Sequence, residues 1–188
     1  MIAPRRADAE NSLYQVATAR AGVTLMRMFR TPMTLDRTHK NLTLACCALV
    51  AAVSVLVVVS RQPVGMLIAA LIVVVLAVAW AFAPTAVVVG DRDFLIERRA
   101  WRPLRVPLAS IEHAETIVRT RGGIRLFGVG GFFGSYGLYW SEVLGRHRMY
   151  VTRAGGTMVV VRRRDGLPIL VTPDDSAGTL AAFAAHGA

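Results

Sequence analysis

The longest apolar pattern lies at residues 41–83, which read NLTLACCALVAAVSVLVVVS, then RQP, then VGMLIAALIVVVLAVAWAFA. Each block runs 20 residues without a charged side chain. At 1.5 Å per residue, such a helix is about 30 Å long, the thickness of a bilayer's hydrocarbon core. Lipid offers no partner to a backbone N–H or C=O, so each block must be helical, and the short break between them predicts a tight helical hairpin. The competing reading, a buried helical pair in a soluble core, is disfavoured by two blocks of full spanning length side by side. The pattern predicts a two-span membrane protein.

From Pro84 the pattern turns from helical to extended. Residues 86–89 are a β-branched run, Gly90-Asp91-Arg92-Asp93 is turn chemistry, and Phe94 and Ile96 then alternate with Leu95 and Glu97. Pro103 and Pro107 bracket another short extended piece. Residues 110–118 read as a strand, with a helical turn as the alternative. In RMYVT, Met149 and Val151 share a face opposite Tyr150; after Gly155-Gly156, Met158 and Val160 oppose Val159 and Val161. Asp165-Gly166 predicts a hairpin returning through residues 169–171, so the set reads as a meander of short antiparallel strands. Thr172-Pro173-Asp174-Asp175 predicts a helix start, with Thr172 as N-cap, Pro173 in the first turn and Asp175 at the capping-box position. Both carboxylates suit the positive end of the helix dipole. Leu180, Ala181, Phe183 and Ala184 supply an apolar face, and so short a helix must pack on the sheet to be stable.

The expected architecture is α+β: a two-helix transmembrane hairpin, then a small antiparallel β-barrel or roll capped by a C-terminal helix. Residues 1–40 form an N-terminal tail, 41–83 the hairpin and 84–188 the sheet-rich domain. Within the tail, residues 1–10 read as disordered. In residues 13–29, Leu13, Val16, Val23, Met26 and Phe29 alternate with Arg20, Arg27 and Arg30, which fits either an interfacial basic helix or a flexible tail. Pro32 interrupts whatever precedes it.

Charge sets the expected orientation. Seven Lys and Arg precede the hairpin and fourteen follow it, against Arg61 alone in the connector. Basic residues accumulate on the cytoplasmic side, so both termini should be cytoplasmic in an inner membrane, with the hairpin tip outside. Trp80 and Phe82 fall where the second helix meets the inner interface, as aromatic anchors do. The first apolar block starts too far into the chain for an ordinary cleaved signal peptide. The net charge of +10 suits nucleic acid or an anionic membrane surface. Neither zinc-ligand spacing nor a helix-turn-helix pattern accompanies it, which excludes nucleic acid from the expected partners. Cys46 and Cys47 lie together inside the first span and read as small packing residues.

The candidate chemistry is sparse. The run GVGGFFGSYGLYW has two readings: an aromatic loop that grips a peptide or dips into the interface, or glycines that permit bulges and close strand crossings, with Phe132 and Phe133 as core. The second is favoured, and the run is not a phosphate loop, because no Gly-Lys-Ser/Thr follows and no parallel βαβ unit surrounds it. Arg162, Arg163 and Arg164 form a basic tip, with Arg146, Arg148 and Arg153 as neighbours, readable as an anionic-lipid contact or as a solvated turn that protects a strand edge. His113 between Glu112 and Glu115 lacks further metal ligands. Ser141, Glu142 and His147 lack a nucleophile elbow. Neither a catalytic residue nor a cofactor is expected.

Taken in order, Gly128, the glycine-aromatic run at 130–137, Gly145-Arg146, Tyr150-Val151-Thr152, Asp165-Gly166 and Pro173-Asp174-Asp175 resemble the bacterial pleckstrin-homology-like domain family. The resemblance covers a little over half of the chain, from Pro84 on. It implies a seven-stranded bent sheet closed by a C-terminal helix, often tethered to membrane spans, and it implies no activity. The expected function is a non-catalytic membrane protein that presents a protein-binding or self-assembly module at the cytoplasmic face. The alternative is an anionic-lipid sensor. The expected contact residues are Arg162, Arg163, Arg164, Arg146, Arg148, Phe132 and Phe133.

Overall fold

The computed structural model of the chain describes residues 28–118, 123–153, 155 and 157–187. Two long helices, α1 (Arg37–Val59) and α2 (Pro63–Phe82), form the hairpin. Both have a mean hydropathy of 2.8 over their most apolar stretch, of which 0% and 11% is buried. Apolar helices of this length exposed on nearly every side are poor core helices of a soluble protein and indicate association with a membrane. α1 starts a turn earlier than its apolar block, because the Asp36 carboxylate accepts the His39 N–H at 2.7 Å and caps the helix. Pro63 occupies the first turn of α2, where its missing N–H costs nothing.

The extended segments form two sheets. The first has the order β1-β2-β3-β4, from β1 (Phe29–Pro32), β2 (Pro84–Val89), β3 (Asp93–Arg98) and β4 (Leu104–Pro107). The second has the order β5-β9-β10-β8-β7-β6. Its members are β5 (Ile111–Val118), β6 (Gly123–Val129), β7 (Ser135–Ser141), β8 (Gly145–Val151), β9 (Thr157–Arg163) and β10 (Ile169–Val171). The sheets do not close into a barrel; with helix α3 (Ser176–Ala185) they form the roll.

The core lies between the sheets and under α3. Phe94, Ile96, Val159, Val161, Ile169 and Phe183 are fully buried there, and Phe183 meets Phe94 at 5.3 Å between ring centroids. Burying one such ring contributes about 1.5–3 kcal/mol. The predicted alternation holds: Val159 and Val161 enter this core, while Met158 and Val160 join a second cluster on the other face with Val151 and Leu170.

Four local expectations are corrected. β1 comes from the segment assigned to the tail and pairs antiparallel with β2, Phe29 opposite Val89 and Pro32 opposite Ala86. The rest of the tail pattern, up to Arg27, lies outside the described residues. The meander is broken, because β10 inserts between β9 and β8 and runs parallel to β8. Thr172 does not cap α3. Its Oγ1 is buried and accepts the Thr152 N–H at 2.9 Å, while the helix starts later with Asp175 accepting the Gly178 N–H at 2.8 Å. A hydroxyl beside an unpaired backbone donor in the core is held there more strongly than at a solvated helix end. Asp174, expected to serve the helix dipole, instead accepts the Thr34 N–H at 3.0 Å and meets Arg153 at 3.2 Å.

Candidate functional site

Strand direction divides the domain into two ends. At one, the helices enter: Asp36 N–H donates to Thr152, Asp174 N–H to Pro32, and the Tyr136 hydroxyl to the Ala79 carbonyl of α2. At the other, Arg164 N–H donates to Ser110 and Leu108 N–H to Arg92. The Arg162–Arg164 turn is therefore at the strand ends away from the helix junctions. Arg162 donates to Glu115 at 2.7 Å, which holds that carboxyl below its usual range. The Arg163 guanidinium lies close over Gly166, and Arg164 is exposed. Arg146 and Arg148 alternate outward on β8, opposite Trp140 and Leu138. These five arginines do not converge on one point with Phe132 and Phe133, which lie half-buried in the loop between β6 and β7.

That loop sits at the helix-entry end. The Phe133 N–H donates to Thr43 Oγ1 of α1 at 3.0 Å, and Phe133 packs against the core. The glycines beside it have a structural task. Gly128 and Gly137 face each other across β6 and β7 with φ of 127° and 134°. A Cβ on either would come within 2.3 Å of a carbonyl oxygen on the opposite strand. The strands cross so closely there that only glycine fits.

A cavity of 730 Å³ opens between α2 and this part of the sheet. Val74, Val78 and Phe82 line it from the helix, and Leu126 and Phe127 from β6. Among the described residues, Arg98 and Arg125 are its charged residues and no carboxylate lines it. Arg98 lies over the rings of Phe82 and Tyr150, at 5.3 and 5.9 Å, and donates to the Tyr150 hydroxyl at 3.3 Å. Its Nε is buried and has no hydrogen-bond partner among the described residues. Nearby, Trp101 stacks on Phe82 at 4.8 Å and Arg99 lies 5.5 Å over Trp80. Aromatic rings and arginines thus gather at the C-terminal end of the apolar helix α2.

Burial pushes the Tyr136 phenol above its ordinary range, so it stays a donor to Ala79 at physiological pH. Sequence reasoning found Phe82 and Trp80 and missed Arg98, Arg125, Tyr136 and Tyr150 as one site. Arg98 is visible in the sequence only as a flanking charge, and Tyr150 only as one face of a strand.

The model of the bacterial PH domain family matches residues 85–184, more than half of the chain. The chain belongs to the bacterial PH domain family. The match spans β2 through most of α3 and leaves both apolar helices and β1 outside it. No curated protein matches the chain, and no solved structure does. The protein therefore combines a PH-like domain with two helices long and apolar enough to cross a membrane.

Proposed function

We propose that this protein is a non-catalytic inner-membrane protein whose spans hold the PH-like domain and both termini at the cytoplasmic face, where the domain acts as a self-assembly module through the edge of β6. The carrying observation is the state of that strand. β6 ends its sheet, has no pairing beyond β7 among the described residues, and leaves Ile124 and Phe127 63% and 79% exposed. It also lies against the second half of α2. In water a free strand edge is a template for association; beside hydrocarbon its N–H and C=O groups find no partner at all. A second copy of β6, antiparallel across a two-fold axis, supplies the hydrogen bonds and covers the apolar side chains. The basic flanks support the orientation.

The alternative, an anionic-lipid sensor acting through Arg162, Arg163 and Arg164, needs their turn at the bilayer. Its place at the far strand ends favours contact with an acidic protein surface instead. Disulfide cross-linking in reconstituted membranes tests the assembly reading. With Cys46 and Cys47 changed to Ala, Leu126→Cys, at the middle of β6, should link two copies, whereas Thr116→Cys on β5, the opposite edge, should not. A protein that stays monomeric in the bilayer overturns it.

A further inference from the structure

The cavity between α2 and the sheet has a polarity that strand pairing at β6 does not explain. Its volume of 730 Å³ is that of a small-molecule site. Its helix wall runs from Val74 to Phe82, about 12 Å along the axis, against roughly 15 Å for half of a bilayer's hydrocarbon core. With α2 spanning the membrane, as proposed above, the cavity opens beside the part of the helix that lies in one leaflet. Its upper wall, around Val74 and Val78, is apolar. Arg98 sits at the Phe82 end, where the helix reaches the interface, with its Nε buried and unpartnered. Arg125 also borders the cavity, but its guanidinium lies against Gly130 beside the Tyr139 hydroxyl, and among the described residues no acid on the lining competes for Arg98. An apolar upper part and a basic lower end, in the order that a leaflet presents chain and phosphate, define an amphiphile site.

We propose that this cavity holds one anionic glycerophospholipid from the adjoining leaflet, its phosphate on Arg98 and an acyl chain along Val74 and Val78. The proposal rests on α2 spanning the membrane and is independent of β6 pairing. The lipid would give the Arg98 Nε its missing acceptor and fill the space between span and sheet.

Native mass spectrometry of the full chain in mild detergent, titrated with phosphatidylglycerol or phosphatidylcholine, tests it. One phosphatidylglycerol should be retained per chain with about tenfold preference over phosphatidylcholine, as charge-assisted hydrogen bonds to a phosphate with an uncompensated headgroup require. Arg98→Gln should bring the two lipids close to parity. Val78→Trp, at a side chain 51% exposed, should fill the upper cavity and abolish retention of both lipids without unfolding the domain. Glycerol phosphate, which lacks acyl chains, should not compete. Ile124→Lys, outside the cavity lining, should leave retention unchanged even where it breaks the cross-linked dimer. Equal retention of the two lipids, an adduct undisturbed by Val78→Trp, or displacement by glycerol phosphate each overturns the site. Loss of the lipid in Ile124→Lys would move it to the assembly interface and equally overturn the cavity.

Discussion

Tyr136, near the start of β7 at the helix-entry end of the second sheet, donates its phenolic hydrogen to the carbonyl oxygen of Ala79, near the C-terminal end of α2. The last carbonyls of a helix lack intrahelical donors, and here the Ala83 N–H turns to Trp80. A side chain of the sheet thus completes the helix, and the domain is fastened to the apolar hairpin by more than the covalent link at Ala83. Tyr136→Phe should lower the stability of the full chain in detergent by about 1 kcal/mol. An unchanged denaturation midpoint would mean that this bond does not couple helix and sheet.

Glycine at the strand crossing allows a sharper test. Gly137→Ala adds a Cβ within 2.3 Å of the Phe127 carbonyl oxygen at a φ of 134°. Strain and overpacking together should cost about 2–4 kcal/mol. Gly155→Ala, where nothing lies within 4 Å, is the control and should change the midpoint little.

The start of α3 separates two roles that the sequence merges. Asp175→Ala should cost about 1 kcal/mol through loss of the cap on Gly178. Thr172→Val should cost about 1–3 kcal/mol, because it leaves the Thr152 N–H buried without its acceptor. Equal insensitivity to Thr172→Val and to a surface substitution would return Thr172 to a solvated position.

Acid titration reads the Arg162–Glu115 pair. The hydrogen bond from Arg162 is the main reason that the Glu115 carboxyl is held below its usual range. A carboxyl depressed in the folded state stabilises above its unfolded pKa, and that contribution disappears as pH falls through the folded value. Arg162→Gln should therefore raise the Glu115 pKa toward the ordinary carboxylate range and remove this part of the acid-side loss of stability. Both side chains are more than a third exposed, so the stability change should be small and the carboxyl titration, followed by NMR, the clearer signal.

Orientation is checked with single cysteines at Asp8, Gln62 and Gly187 in a chain lacking Cys46 and Cys47. An impermeant thiol reagent added to intact cells should label the Gln62 position alone. Labelling of either terminal position would reverse the topology.

What could be read from the sequence followed from short-range physics. The two long helices needed only the length and the near-unbroken apolarity of residues 41–83, a pattern that in a bilayer can only be helical. The faces of β3 and β9 needed only the two-residue period of a strand, and the turn at Asp165-Gly166 only its own dihedral preferences. Tertiary structure decided the rest, because it depends on residues far apart in the chain. A four-residue strand such as β1 has too weak a pattern to announce itself, and only pairing with β2, on the far side of both helices, makes it part of the domain. β10 was expected to return beside β9, but nothing local says that its other edge runs parallel to β8. Thr172 matched a helix start and was claimed instead by a buried backbone donor twenty residues earlier, where an unmet hydrogen bond costs more than an empty cap. The cavity is the extreme case: Val78, Arg98, Leu126 and Tyr150 come from four separate elements. The sequence determined the elements, whose preferences are written in neighbouring residues; only the packing of α2 against the sheet determined the site between them.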